Sequence, residues 1–159
     1  MIRIGIGYDS HRFGLGDHVM LGGVHVPHTH GMVSHSDGDA VLHALTDAIL
    51  GALGAGDIGD HFPDTDAQWR GAASSVFVQH AVTLAKEQGF VVSNLDVVIL
   101  AENPKLGPQK ASMVARIAEM LDISAARVSV KAKTNEKMGF VGRNEGLAAM
   151  VNVLLAPAS

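Results

Sequence analysis

Apolar positions along this chain follow two periods that alternate. Ile2, Ile4 and Ile6 fall on every second position, which predicts a first strand from Ile2 to Tyr8. A second β region runs from about Val19 to Val26 and is interrupted by Gly22-Gly23, as in a hairpin or a bulged strand. After a loop from Pro27 to His35 the period changes. Leu42, Leu45 and Ile49 stack at helical spacing with Val41 and Ala48 beside them. Ser36 or Asp37 is the expected N-cap of that helix, and Gly51 or Gly54 its stop. The stretch Gly56 to Asp66 is too rich in Gly, Asp and Pro for regular structure.

Ser74 or Ser75 opens a second long helix that runs to about Gln88, with Gly89 just past its end. Phe90 to Leu100 has a β pattern, and Val97-Val98-Ile99-Leu100 is apolar on both faces, as in a central strand. A loop from Ala101 to Pro108 carries two prolines, a helix follows from Gln109 to Leu121, and Ser124-Ala125-Ala126 makes a turn. Val128 to Lys133 is another strand, Thr134 to Arg143 a polar loop, and Gly146 to Leu155 a closing apolar strand. Strands and helices interleave with no repeat or linker, so one mixed α/β domain over 1–159 is expected.

Candidate chemistry starts on the helix. Asp39, His43 and Asp47, four apart, line up opposite the apolar stripe. On its own such a face is ordinary solvated surface. The loop Tyr8-Asp9-Ser10-His11 changes that. An Asp and a His two apart, joined by a His from a helix, are a suitable set for zinc with one coordination position open. A harder divalent ion also suits such donors. Glu136 can hold Mg²⁺ or Mn²⁺ through one carboxylate, with Lys131, Lys133, Arg143 and Thr134 around it as a diphosphate clamp. Gly56 to Asp66 is either a solvated loop with Asx-turns or a lid whose amides face phosphate oxygens. Phosphoryl transfer needs only such positioning and charge neutralisation.

Bulk properties narrow the field. With 159 residues, 47% hydrophobic and 18% charged, the chain is long enough for a core and does not read as disordered. Aromatics at 4% and a net charge of −4 argue against nucleic acid as a partner. The absence of cysteine excludes disulfides and thiolate zinc sites. No apolar run reaches the roughly 20 residues of a membrane span and no signal-peptide core follows Met1, so a cytoplasmic, membrane-free protein is expected. There is no P-loop, Rossmann fingerprint or nucleophile elbow.

Taken together, these motifs resemble the 2-C-methyl-D-erythritol 2,4-cyclodiphosphate synthase family of non-mevalonate isoprenoid biosynthesis. The resemblance spans nearly the whole chain. It is densest in Gly5-Ile6-Gly7-Tyr8-Asp9-Ser10-His11, His35-Ser36-Asp37-Gly38-Asp39 with His43-Ala44-Leu45-Thr46-Asp47, and Gly56-Asp57-Ile58-Gly59 with Phe62-Pro63-Asp64-Thr65-Asp66. Lys131 to Lys137 and Gly142 to Gly146 complete it.

It implies helices packed on one side of a mixed sheet, a homotrimer with active sites between subunits, and a lyase-class reaction. In that reaction the 2-phosphate of 4-diphosphocytidyl-2-C-methyl-D-erythritol 2-phosphate attacks its own β-phosphorus and releases CMP. By the same resemblance Asp9, His11 and His43 are the ligands of one zinc per subunit, a Lewis acid at the β-phosphate. Glu136 holds the second divalent ion, and His35 and Thr134 polarise the transferring group. Ser36, Asp57, Ile58, Gly59, Phe62, Pro63, Asp64, Thr65 and Asp66 surround the methylerythritol phosphate, Asp57 on its hydroxyls, and Ser10 is a further substrate contact. Ala101, Glu102, Asn103, Pro104, Lys105, Leu106 and Gly107 form the cytosine pocket. Lys133, Asn135, Phe140 and Arg143 are further contacts, with Arg143 at the trimer axis as the alternative. Asn144, where the family often has Gly, is expected in a left-handed turn.

Two other readings use the same residues. One is a metal-dependent phosphohydrolase with water as nucleophile. The other is a trimeric binding module for nucleotides or isoprenoid diphosphates, with the C-terminal strand and Phe140 lining an axial cavity.

Overall fold

The computed structural model describes residues 1–158, so Ser159 of the expected domain lies outside the described residues. Strand β1 (Arg3–Gly14) is followed by β2 (His18–Leu21), β3 (Val24–Pro27), β4 (Gly31–Met32) and helix α1 (Ala40–Leu53). Next come α2 (Ile58–His61), α3 (Ser75–Glu87), β5 (Phe90–Leu100), α4 (Lys110–Leu121) and β6 (Val128–Lys133). Helix α5 (Gly139–Gly142) and strand β7 (Gly146–Pro157) close the chain. Five strands form one sheet in the order β4-β1-β7-β5-β6, mixed because β5 and β6 are parallel while the other pairs are antiparallel. The β2–β3 hairpin stands apart, turning through Gly22 and Gly23 at φ 60° and 74°, values that glycine adopts without strain.

Helix α1 is the centre of the core and lies along β1 and β7. Leu42, Leu45, Ile49 and Leu50 have essentially no exposure, and burying each contributes roughly 1.5–3 kcal/mol. The single apolar stripe expected from the sequence understates this burial. Inside the helix only His43, Asp47 and Gly51 escape full burial. The close fit comes from β1. A Cβ at Gly5 would lie 1.8 Å from the Ala48 carbonyl oxygen, and one at Gly7 1.9 Å from that of Ala44. The period-two pattern is therefore inverted in its burial: the glycines face the helix, while Ile4 and Ile6 point away at 75% and 61% exposure.

Three expectations are corrected. Asp39, not Ser36 or Asp37, is the N-cap of α1. Its carboxylate accepts from the backbone N–H groups of Leu42, Gly22 and Gly23 at 3.0, 2.9 and 2.7 Å. Those bonds turn it back over the helix end, fully buried, and off the face of His43 and Asp47. Asp9 and His11 lie inside β1 and not beyond it, because pairing with β7 continues from Arg3↔Leu155 to Arg12↔Gly146. Short helices also form where loops were expected. Asp57 caps α2 through a reciprocal box with Asp60, and α5 occupies part of the Thr134 to Arg143 stretch. Asn144 is left-handed, as expected, at φ 60°. Among the described residues no helix is long and apolar enough to cross a membrane.

Candidate functional site

Strand alternation puts Gly5, Gly7, Asp9 and His11 on the face of β1 that meets α1. Because Gly7 admits the Ala44 carbonyl so closely, the neighbouring His43 is carried up to Asp9. His43 Nδ1 and His11 Nδ1 both stand 3.0 Å from Asp9 Oδ2. One donor atom from each of the three residues lies within 4.8 Å of the others. Burial pushes the Asp9 carboxyl up, but the two imidazoles at its oxygen outweigh this and hold it below the usual carboxylate range.

The outer nitrogens are tied back by hydroxyls. His11 Nε2 meets Ser34 Oγ at 3.2 Å, and His43 Nε2 meets Ser36 Oγ at 3.0 Å and Ser74 Oγ at 2.8 Å. His11 Nδ1 is buried beside the carboxylate without an aligned hydrogen bond. An orphaned nitrogen of this kind, with another imidazole and a carboxylate converging on one point, fits a divalent cation held by Nδ1, Nδ1 and Oδ2.

His11 and His43 of the triad line a cavity of about 530 Å³. His35 and Ser36 line it, as do Ile58, Gly59, Phe62, Pro63, Asp64 and Thr65 from the expected wrapping segment. Asp57 and Asp66 do not line it; both cap short helices, and the Asp66 carbonyl pairs with His35 Nε2 at 3.1 Å. The wrapping segment is anchored by Asp47, which accepts the Ile58 N–H at 2.7 Å. Burial, partly offset by that N–H, pushes the Asp47 carboxyl up. A smaller cleft of about 180 Å³ under α3 and β5 carries none of the candidate residues.

At the opposite edge of the sheet, Ala101, Pro104, Lys105, Leu106, Gly107, Lys133 and Thr134 surround a recess of about 350 Å³. Asn103 is exposed and outside its lining. Glu102 is outside it too: its Oε1 accepts the N–H groups of Asn135 and Lys137, both at 3.1 Å. It thereby fastens a turn in which Glu136 and Lys137 are left-handed, at φ 51° and 62°. Thr134 Oγ1 donates to Glu136 Oε1 at 3.2 Å. A third recess, about 220 Å³, brings Ser10 and His11 together with Phe140. Arg143 donates to Glu145 at 2.8 Å.

The register fixes how far apart these groups are. Asp9 pairs with Ala149, Ala149 with Ile99, and Ile99 with Ala132. Three inter-strand steps make roughly 14 Å. The triad and the Thr134–Glu136 turn thus sit at one end of the sheet but on strands near its two edges. Sequence reasoning overlooked Ser34, Ser74, Asp37, Trp69 and Phe77. Serines next to a predicted helix start read as caps, and only the fold turns Ser74 toward a histidine.

The chain matches the model of the YgbB family over residues 2–156. It is 58% identical over 153 residues to 2-C-methyl-D-erythritol 2,4-cyclodiphosphate synthase of Xanthomonas axonopodis pv. citri, covering 96% of this chain and 92% of the relative. It is 56% identical over 153 residues to the bifunctional enzyme IspD/IspF of Rhodospirillum rubrum, covering 96% of this chain. The chain spans only 40% of the length of that relative. Among solved structures, IspF of Plasmodium falciparum in complex with CDP superposes with a TM-score of 0.87 at 35% identity, covering 99% of this chain and 97% of the neighbour.

Proposed function

The chain belongs to the YgbB family, and from that premise we propose that it converts 4-diphosphocytidyl-2-C-methyl-D-erythritol 2-phosphate to 2-C-methyl-D-erythritol 2,4-cyclodiphosphate and CMP, by metal-assisted intramolecular phosphoryl transfer. The observation that carries this reading is the convergence of Asp9, His11 and His43 on one point, beside the 530 Å³ cavity that His11 and His43 line. The 58% identity to a cyclodiphosphate synthase and the CDP bound by a close structural neighbour support it.

In this reading Asp9, His11 and His43 hold zinc and Glu136 holds Mg²⁺ or Mn²⁺. When bound, these ions supply Lewis acidity and charge neutralisation at the diphosphate. The protein's own groups position the reactants. Phe62, Pro63, Asp64 and Thr65 wrap the methylerythritol phosphate and exclude water, which would otherwise compete with the 2-phosphate as nucleophile. His35, whose Nε2 donates to the Asp66 carbonyl, lines the cavity and polarises the transferring phosphoryl. Thr134 and Lys133 do so from the nucleotide side. The recess of Ala101 to Gly107 receives cytosine, with Pro104 and Lys105 in its wall.

A separation of roughly 14 Å is too wide for one diphosphate to touch both half-sites of the same chain. This separation supports a site completed between copies, in the homotrimer of the same proposal. The exposed strand face of Ile4, Ile6 and Tyr8, with Met138 and Phe140 also uncovered, is suited to pack against symmetry mates. An isoprenoid diphosphate in the axial cavity and a cytoplasmic location belong to the same proposal. The test is phosphorus NMR with the diphosphocytidyl substrate, Zn²⁺ and Mg²⁺. Stoichiometric CMP and cyclic diphosphate are expected, whereas orthophosphate or an opened phosphate product would make the protein a hydrolase.

A further inference from the structure

Ser74 occupies the N-cap position of α3, yet its side chain makes no capping bond. It is fully buried, on the side of α3 that meets His43. The Asp37 carboxylate accepts both the Ser74 backbone N–H, at 3.0 Å, and its hydroxyl. A serine hydroxyl has one hydrogen, and here it is directed at Asp37. Only lone pairs are left to face His43 Nε2 at 2.8 Å, so the contact requires a proton on Nε2. Nδ1 is then the nitrogen free to offer a lone pair, and it is Nδ1 that stands 3.0 Å from Asp9 Oδ2. Two electron-rich atoms at that distance need a positive charge between them, either a second ring proton or a metal cation.

We propose that Ser74 and Asp37 are positioning residues for the metal site. Together they lock the His43 ring in the orientation and tautomer that present Nδ1 as ligand. Neither touches substrate or metal; they act through His43. Ser36 Oγ, 3.0 Å from the same Nε2, shares its proton but is committed to no carboxylate. The loop before α1 and the start of α3 are thereby joined to the metal site, since the Asp37 N–H also donates to the Ala72 carbonyl at 3.0 Å. This inference rests on the metal-binding reading of Asp9, His11 and His43.

The experiment is zinc affinity measured by competition with a chromophoric chelator, on the intact protein, for wild type, Ser74→Ala and Asp37→Asn. Melting temperatures of the zinc-free proteins are recorded alongside. Loss of an outer partner of a metal-bound histidine lowers affinity roughly 10–100-fold, and that loss is expected for Ser74→Ala. Asp37→Asn keeps every hydroxyl but leaves one acceptor oxygen for the Asp39 N–H, the Ser74 N–H and the Ser74 hydroxyl, so the Ser74 hydrogen is no longer held away from Nε2. It too is expected to weaken zinc, and the visible spectrum of the Co²⁺-substituted protein should shift. Equal zinc affinity in wild type and in folded variants, whatever their melting temperatures, would overturn the relay and leave the metal site standing. Should Ser74→Ala not fold, Asp37→Asn alone decides on the same criterion. A wild-type protein that takes up no zinc would overturn both the relay and the metal reading.

Discussion

Replacing Gly7 with Ala tests whether strand–helix packing and metal geometry are one feature. The added Cβ would sit 1.9 Å from the Ala44 carbonyl oxygen, roughly 1 Å inside the 3.0 Å that Cβ atoms respect. The obstacle is backbone, so no side chain can rotate away. Either α1 lifts from β1 or the strand bends. Overpacking of this kind costs about 1–3 kcal/mol, and a backbone clash belongs at the upper end. For a chain of this size about 3 kcal/mol lowers the melting temperature by roughly 6–12 °C. The same displacement separates His43, beside Ala44, from Asp9. Zinc donors tolerate only a narrow distance range near 2.0–2.2 Å, so zinc affinity should fall at least about tenfold.

Circular-dichroism melts of the zinc-free protein read the first effect without metal linkage, and chelator competition reads the second. Gly51→Ala is the control. It lies in the same helix, its Cβ would meet nothing nearer than the Ile6 carbonyl oxygen at 3.9 Å, and helix propensity favours Ala by up to about 1 kcal/mol. It should be neutral or stabilising. A Gly7→Ala protein that melts within about 1 °C of wild type and binds zinc equally well would refute the reasoning.

Substitutions at two other residues address the loops. Glu102→Ala frees the turn of Glu136 and Lys137; the Mg²⁺ requirement and KM should rise several-fold in steady-state assays. Charged hydrogen bonds of about 1.5–3 kcal/mol hold a part of the surface that hardly affects global melting, and Glu102→Gln, which keeps an acceptor oxygen, should retain most of the function. Asp47 is raised in the folded state by burial, so the folded protein binds more protons than the unfolded chain between the usual carboxylate value and the raised one. Its contribution to stability therefore falls as pH rises through that interval. Asp47→Asn should flatten that part of the melting-temperature profile while keeping an acceptor for Ile58, whereas Asp47→Ala should also raise KM by loosening the wrapping segment.

The strand and helix pattern was legible because burial writes its period into the sequence. What it could not convey was which face of β1 is buried. Ile2, Ile4 and Ile6 look like core, yet Gly5 and Gly7 face the helix because a backbone–backbone approach needs side chains that are missing. The triad was legible since an Asp and a His two apart need only a His from a helix, although they were expected in a loop and lie on one face of β1. Asp39 was misplaced because a carboxylate four residues before His43 reads as helical surface, and its true partners, Gly22 and Gly23, lie in a distant hairpin. Glu102 was assigned to the base pocket by the family resemblance, together with the rest of its loop. Its bonds to Asn135 and Lys137 exist only because β5 and β6 run parallel and end side by side.

The central claim, that the triad and the Thr134–Glu136 turn work together only across two copies of the chain, is tested by mixing two inactive proteins. One carries His43→Ala, the other Thr134→Ala with Glu136→Ala. Unfolded and refolded together in equal amounts, random trimers that take one half-site from each neighbour would hold one intact site in every mixed trimer. About one quarter of wild-type CMP release is then expected, from two parents that have none. Activity that stays at the level of the parents, in trimers shown by mass spectrometry to be mixed, would contradict the account and return the site to a single chain.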